Sequence, residues 1–69
     1  MKSRKYNRIK VVLAEKDKTR IWLSEKIEKS NTTVSKYINQ RVQPDLITLN
    51  AIADALEVDV KDLLVSNIE

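Results

Sequence analysis

The sequence predicts a compact all-α domain of five short helices. Three observations carry that expectation. Apolar residues recur at spacings of three and four from Ile9 to Leu64, and a capping side chain precedes each segment after the first. No stretch alternates apolar and polar residues as a half-buried strand would. Sixty-nine residues make one domain, near the lower size at which a chain folds without disulfides or a structural metal.

The first helix is expected over about Asn7 to Lys16, burying Ile9, Val12 and Leu13. Thr19 is placed to cap a second helix beginning at Arg20, with Leu23 and Ile27 one turn apart and the small Ser24 where two helices must approach closely. Ser30 caps a third helix beginning at Asn31 and running to about residue 40. Leu23, Ile27, Val34 and Tyr37 then form the small core of a two-helix corner. A fourth helix follows Pro44 with Asp45 as cap, burying Leu46, Leu49, Ile52, Ala53 and Leu56. Asp59 caps a fifth, with Asp62 three residues later as in a capping box, and Val60, Leu63 and Leu64 turned inward.

The third helix carries the functional signal. At 100° per residue, Asn31, Thr32, Ser35, Lys36 and Asn39 share an arc of about 140°, while Val34, Tyr37 and Ile38 fall on the other side. An ordinary amphipathic helix with a solvated face has the same pattern. The flanking residues distinguish the two readings. A short capped helix, a tight turn and a second short helix with hydrogen-bonding side chains facing outward form a helix-turn-helix, whose second helix enters the DNA major groove. Arg20 and Asn31 both begin helices, so two N-termini bring partial positive charge to one side, where a phosphate backbone is favoured.

Charge is distributed to match. Residues 1–20 hold eight Lys/Arg against Glu15 and Asp17, whereas residues 45–69 hold Lys61 against six acidic residues. The net charge of +3 therefore hides a polarised chain. Lys2, Arg4 and Lys5 in the basic tail are expected to steer and weakly hold DNA without specificity. With no cysteine and no histidine, disulfides, thiol chemistry and the usual zinc sites are excluded, which fits a reducing cytoplasm. The longest apolar run, Val11 to Ala14, is far too short for a membrane span. No glycine-rich loop or Cys/His nucleophile offers a seat for catalysis, so neither an enzyme nor a cofactor is expected.

The whole arrangement from Arg8 to Leu64 resembles the Cro/phage-repressor (XRE-like) type of helix-turn-helix regulator. RIWLSEKIEKSNTTVSKYINQ matches the helix-turn-helix, and QPDLITLNAIADALEVDVKDLL the two closing helices. The second segment is the more specific: a loop ending Pro-Asp, then Leu-x-x-Leu-x-x-Ile-Ala-x-x-Leu, then Val-Asp-Val-x-x-Leu-Leu. The resemblance implies a repressor-like DNA-binding domain over 7–65, with the helix-turn-helix at about 19–40, a basic tail at 1–6 and a C-terminal tail at 66–69. Three departures stand out. Glu28 occupies the turn position where the family usually has glycine, Arg20 stands where glutamine is common, and Leu13 and Ile38 replace a buried Arg–Glu pair. A non-glycine residue in a left-handed turn costs on the order of 1 kcal/mol, whereas exchanging both members of a buried pair for apolar residues need not cost stability.

The expected function is that of a small transcriptional regulator on double-stranded DNA. Asn31, Thr32 and Lys36 are the candidates for base edges, because Asn pairs with adenine, Thr meets a thymine methyl or an acceptor, and Lys reaches guanine. Arg20, Ser30, Ser35, Asn39 and Arg41 are assigned to phosphates. In relatives the last helix and the loop before it form a two-fold contact. Val58, Leu64, Val65 and Ile68 are thus expected to make a homodimer that recognises an inverted-repeat operator. Trp22 has three readings: packing under the loop near Pro44, joining a partner surface, or turning its indole N–H to a phosphate. General burial tendencies favour packing. The rival function is a protein-interaction module, such as the antitoxin of a toxin–antitoxin pair. The two readings are not exclusive, since such antitoxins often also bind DNA, and only a pure protein-binding role would leave Arg20, Lys36 and Arg41 without purpose.

Overall fold

The computed structural model of the chain describes residues 5–65. Within them lie four α-helices, α1 (Ile9–Glu15), α2 (Arg20–Ile27), α3 (Asn31–Ile38) and α4 (Leu46–Leu56), and one 3-10 turn (Val60–Leu63). Among the described residues there is no strand, only an isolated antiparallel bridge between Asn7 and Leu64. The all-helical class is therefore as expected, but the fifth helix is a single 3-10 turn.

The caps explain where the helices begin. Thr19 accepts the Trp22 N–H, Ser30 the Thr33 N–H and Asp45 the Thr48 N–H, at 3.0, 3.1 and 2.8 Å. Each satisfies one backbone donor that the first turn leaves unpaired. Asp59 instead accepts from Lys61, only two residues on, at 3.0 Å. That shorter reach suits the tighter winding of a 3-10 turn.

Each of the four helices is followed within two residues by a non-glycine residue with positive φ: Asp17, Glu28, Gln40 and Glu57, with φ of 58°, 59°, 64° and 59°. Beyond each, a backbone N–H reaches back five residues. Lys18 bonds the Leu13 carbonyl, Lys29 the Ser24 carbonyl, Arg41 the Lys36 carbonyl and Val58 the Ala53 carbonyl, at 2.8 to 3.0 Å. This is the Schellman geometry that glycine ordinarily serves, achieved in a chain with no glycine. Glu28 takes the left-handed conformation that the turn demands.

The core is drawn from every element: Ile9, Val12 and Leu13 of α1, Leu23 of α2, Val34 and Tyr37 of α3, four residues of α4, and Leu63. Ile27 and Ile38 pack on its margin, only partly buried. Ser24 is buried, as its small size between packed helices requires. Several expected placements are corrected. Leu46 is 70% exposed: it lies about 90° from the centre of the buried stripe of α4. Leu64, expected inward, is exposed because the chain straightens there to bridge to Asn7. Trp22 packs against the end of α4, lining a cleft with Ala55, Leu56 and Glu57 rather than the Pro44 loop. Lys18 and Lys26 hold their ammonium groups 4.9 and 5.8 Å from its ring centroid.

Asn7, expected to open the first helix, lies before it and is buried. Its side chain donates to the Tyr37 carbonyl at 3.1 Å and to Gln43 Oε1 at 2.8 Å. Its Oδ1 accepts the Ile9 N–H at 3.2 Å. Two backbone bonds join the segment before α1 to the end of the 3-10 turn and the residues after it, Arg8 N–H to the Leu63 carbonyl at 2.8 Å and Val65 N–H to the Tyr6 carbonyl at 3.2 Å. Among the described residues, every buried side-chain nitrogen and oxygen has a hydrogen-bond partner.

Glu28→Gly should stabilise the protein by roughly 1 kcal/mol, reduced by the greater entropy of the unfolded glycine chain. Urea denaturation measures it, and a lower midpoint at unchanged slope would contradict the strain at Glu28. A second expectation concerns acid. Hydrogen bonds from the Thr48 hydroxyl and the Thr48 backbone N–H, with a smaller contribution from the Lys29 ammonium, hold the Asp45 carboxyl below the ordinary aspartate range. A depressed folded-state pKa contributes stability above the unfolded value, and that stability is lost as pH falls through the folded one. The urea midpoint of the wild type should therefore fall relative to Asp45→Asn below about pH 4. Parallel curves for the two proteins from about pH 6 to about pH 3 would remove that role.

Candidate nucleic-acid interface

The residues of the polar arc meet on one shallow, open concavity. Asn31, Thr32, Ser35, Lys36 and Asn39 line it from α3 and its end, Arg20 from the start of α2 and Arg41 from the loop beyond α3. Seven of the eight side chains assigned to nucleic acid thus share one surface. The eighth, Ser30, is exposed but lies outside this lining. Its oxygen caps α3, and its hydroxyl lies 2.9 Å from that of Thr33.

Local structure orients several of these groups before any ligand arrives. The Ser24 hydroxyl, buried between α2 and α3, is 2.8 Å from the Ile21 carbonyl and 3.1 Å from Asn31 Oδ1. Asn31 is therefore anchored at the crossing of the two helices. An amide oxygen has two lone pairs, so Asn31 retains one acceptor site and its two donors. Asn39 donates to Ser35 Oγ at 3.2 Å, one turn back along the same face. Lys36, Arg20 and Arg41 are exposed, with no ion pair among the described residues. The concavity is lined by three cations and no carboxylate. The N-termini of α2 and α3 add partial positive charge at the same place. α3 stops at Ile38, two residues earlier than expected, which makes Asn39 its end cap rather than part of its last turn.

Leu13, buried, and Ile38, partly buried, line a neighbouring cleft between α1 and α3. Of the residues expected to form a dimer contact, Val58 is partly buried against the core, Leu64 and Val65 are exposed on extended chain, and Ile68 lies outside the described residues. Lys2 and Arg4 lie outside them as well, while Lys5 is exposed.

Gln40 is a residue of consequence that helical periodicity does not single out. Its Oε1 accepts the Tyr6 and Asn7 N–H groups at 3.0 and 3.3 Å, and its Nε2 donates to the Asn7 carbonyl and Oδ1 at 3.0 and 3.1 Å. It ties the segment before α1 to the end of α3. An amide directly after a helix was the visible signal, but its partner stands 33 residues away in sequence. Val42 and Ile47, which the sequence pattern left unmarked, are exposed, as is Leu46.

Comparison with known proteins identifies the family and the fold. The model of the Cro/C1-type helix-turn-helix DNA-binding domain matches residues 8–67. Among solved structures, the fold is similar to that of a candidate DNA-binding protein from Bacteroides fragilis. The TM-score is 0.85 and the identity 45%, covering 87% of this chain and 97% of that one. No curated protein matches the sequence. Among the described residues no helix is long and apolar enough to cross a membrane. The chain belongs to the Cro/C1-type helix-turn-helix DNA-binding domain family.

Proposed function

We propose that this protein is a sequence-specific double-stranded DNA-binding regulator of transcription, acting in the cytoplasm as a binding module and not as an enzyme. It reads the major groove with α3, and residues 7–65 form its DNA-binding domain. The observation that carries this reading is the concavity of Arg20, Asn31, Thr32, Ser35, Lys36, Asn39 and Arg41, which is cationic and without carboxylates. Asn31, Thr32 and Lys36 meet base edges. The amide of Asn31, steadied by Ser24, offers adenine both a donor and an acceptor. Arg20 and Arg41 meet the two sugar–phosphate rails beside α3, and Ser35 and Asn39 join them as neutral donors. Ser30 contributes the start of α3, whose free N–H groups and dipole favour a phosphate.

The protein acts as a homodimer on an inverted repeat, with half-sites about 10 base pairs apart centre to centre. Exposed Leu64 and Val65 supply the apolar contact together with Ile68, which lies outside the described residues, and Val58 supports it from the core margin.

Lys36→Ala and Asn31→Ala should each cost about 1–3 kcal/mol on the preferred site and relax preference at one or two base positions. Arg20→Ala and Arg41→Ala should weaken all sequences about equally and lower the logarithmic salt slope by about one unit each. Selection of sites from random duplex DNA, with salt titrations, separates the two classes. An unchanged motif from both α3 variants would remove α3 as the reader. For the dimer, Val65→Asp and Leu64→Asp should sediment as monomers at concentrations where the wild type is dimeric. If both sediment like the wild type, the contact lies elsewhere.

A further inference from the structure

Three concavities meet at Asn39. The first is the α3 face already described. The second, between α1 and α3, shares Arg20 and Asn39 with it and adds Lys10 and Lys18. The third shares Lys10 and Asn39 with the second and adds Lys5 from the segment before α1. Arg20, Lys10 and Lys5 therefore follow one another along a continuous recessed strip. No aspartate or glutamate lines any of the three, whereas the cleft around Trp22 contains Glu57. Lys5 and Lys10 are exposed and have no ion pair among the described residues. Arg8, also on the strip, is committed elsewhere. It lies 4.0 Å from Glu15 and donates to the Asp62 carbonyl at 3.0 Å.

We propose that the DNA interface continues from the α3 face over α1, with Lys10 and Lys5 contacting phosphates of the same duplex and Gln40 as the positioning residue for Lys5. The proposal rests on the DNA-binding reading above and extends its footprint. A cationic strip whose two lysines have no ion pair among the described residues, continuous with a groove that receives a duplex, faces the highest local density of phosphates, and each lysine that binds there releases condensed counterions. Gln40 acts through geometry. Four hydrogen bonds with its side chain, two accepted and two donated, fix Tyr6 and Asn7 against the end of α3, and Lys5 is the next residue back along the chain. Gln40 itself is in the left-handed conformation, φ 64°, which sends the chain on to Arg41 while its side chain reaches the segment before α1. Positive φ at a residue that also bridges two segments is a conformation held in place by its surroundings.

The test is binding of a random-sequence duplex by the full chain, followed by fluorescence anisotropy across a salt series. Lys5→Ala and Lys10→Ala should each lower the logarithmic salt slope by about one unit. Lys26→Ala, whose ammonium lies over Trp22 and lines none of the three concavities, should leave it unchanged. Gln40→Asn supplies a residue that tolerates the left-handed conformation but is one methylene too short to span to Asn7. In that background Lys5→Ala should produce no further change, while Lys10→Ala still lowers the slope by about one unit. Both lysines are exposed, so their single variants report on DNA without risk to the fold. If the wild type binds and neither lysine variant alters the slope, the strip is outside the interface. If Lys5→Ala acts equally in the wild-type and Gln40→Asn backgrounds, Gln40 does not position it. Failure of the wild type to bind duplex at all overturns the DNA-binding reading instead.

Discussion

Everything in this fold depends on how a chain without glycine turns its corners. Four helices are each followed within two residues by a left-handed residue, Asp17, Glu28, Gln40 and Glu57, and none has the conformational freedom that the position ordinarily recruits. Each such residue costs on the order of 1 kcal/mol. The bonds that reach back five residues from Lys18, Lys29, Arg41 and Val58 hold those corners, and the shared core holds the helices on either side. The strain is tolerated because relieving it would reorient a helix and open the core. With helices of seven to eleven residues, too short to persist alone, tertiary packing stabilises each one.

The corners also place the functional surface. The left-handed turn at Glu28 brings the N-terminus of α3 beside α2, where Ser24 meets Asn31 and Arg20 comes to the same concavity. The turn at Gln40 does the same at the far end of α3, sending the chain on to Arg41 and binding the segment before α1 through an amide network with Asn7 and Gln43. Both ends of the proposed reading helix are thus fixed by polar side chains that are buried or partly buried, Ser24 at one end and Gln40 with Asn7 at the other. A satisfied network of this kind specifies one arrangement, since any displacement leaves an amide without a partner.

Electrostatics follows the same division of the chain. Cations from α1, α2 and α3 gather on recesses that no carboxylate lines, while the acidic residues are concentrated from Asp45 onward. The molecule can therefore approach a polyanion with one orientation favoured, although its net charge is only +3.

The sequence by itself determined whatever obeys local rules. Thr19, Ser30 and Asp45 cap because an oxygen before a helix finds an N–H two or three residues on. The polar arc of α3 followed from 100° per residue, and the left-handed Glu28 from the resemblance of the helix-turn-helix. The tertiary structure alone decided the rest. Asn7 left the first helix because Tyr37, Gln40 and Gln43 offer its amide partners 30 to 36 residues away, separations at which periodicity carries no information. Leu64 turned outward because the segment there pairs with Asn7, and the last helix shortened to one 3-10 turn where Asp59 caps two residues ahead. Trp22 went to the end of α4 because space remained there beside Ala55 and Leu56. Hydrogen bonds between distant segments and the shape of the space left by packing are properties of the assembled chain, and no window of neighbouring residues contains them.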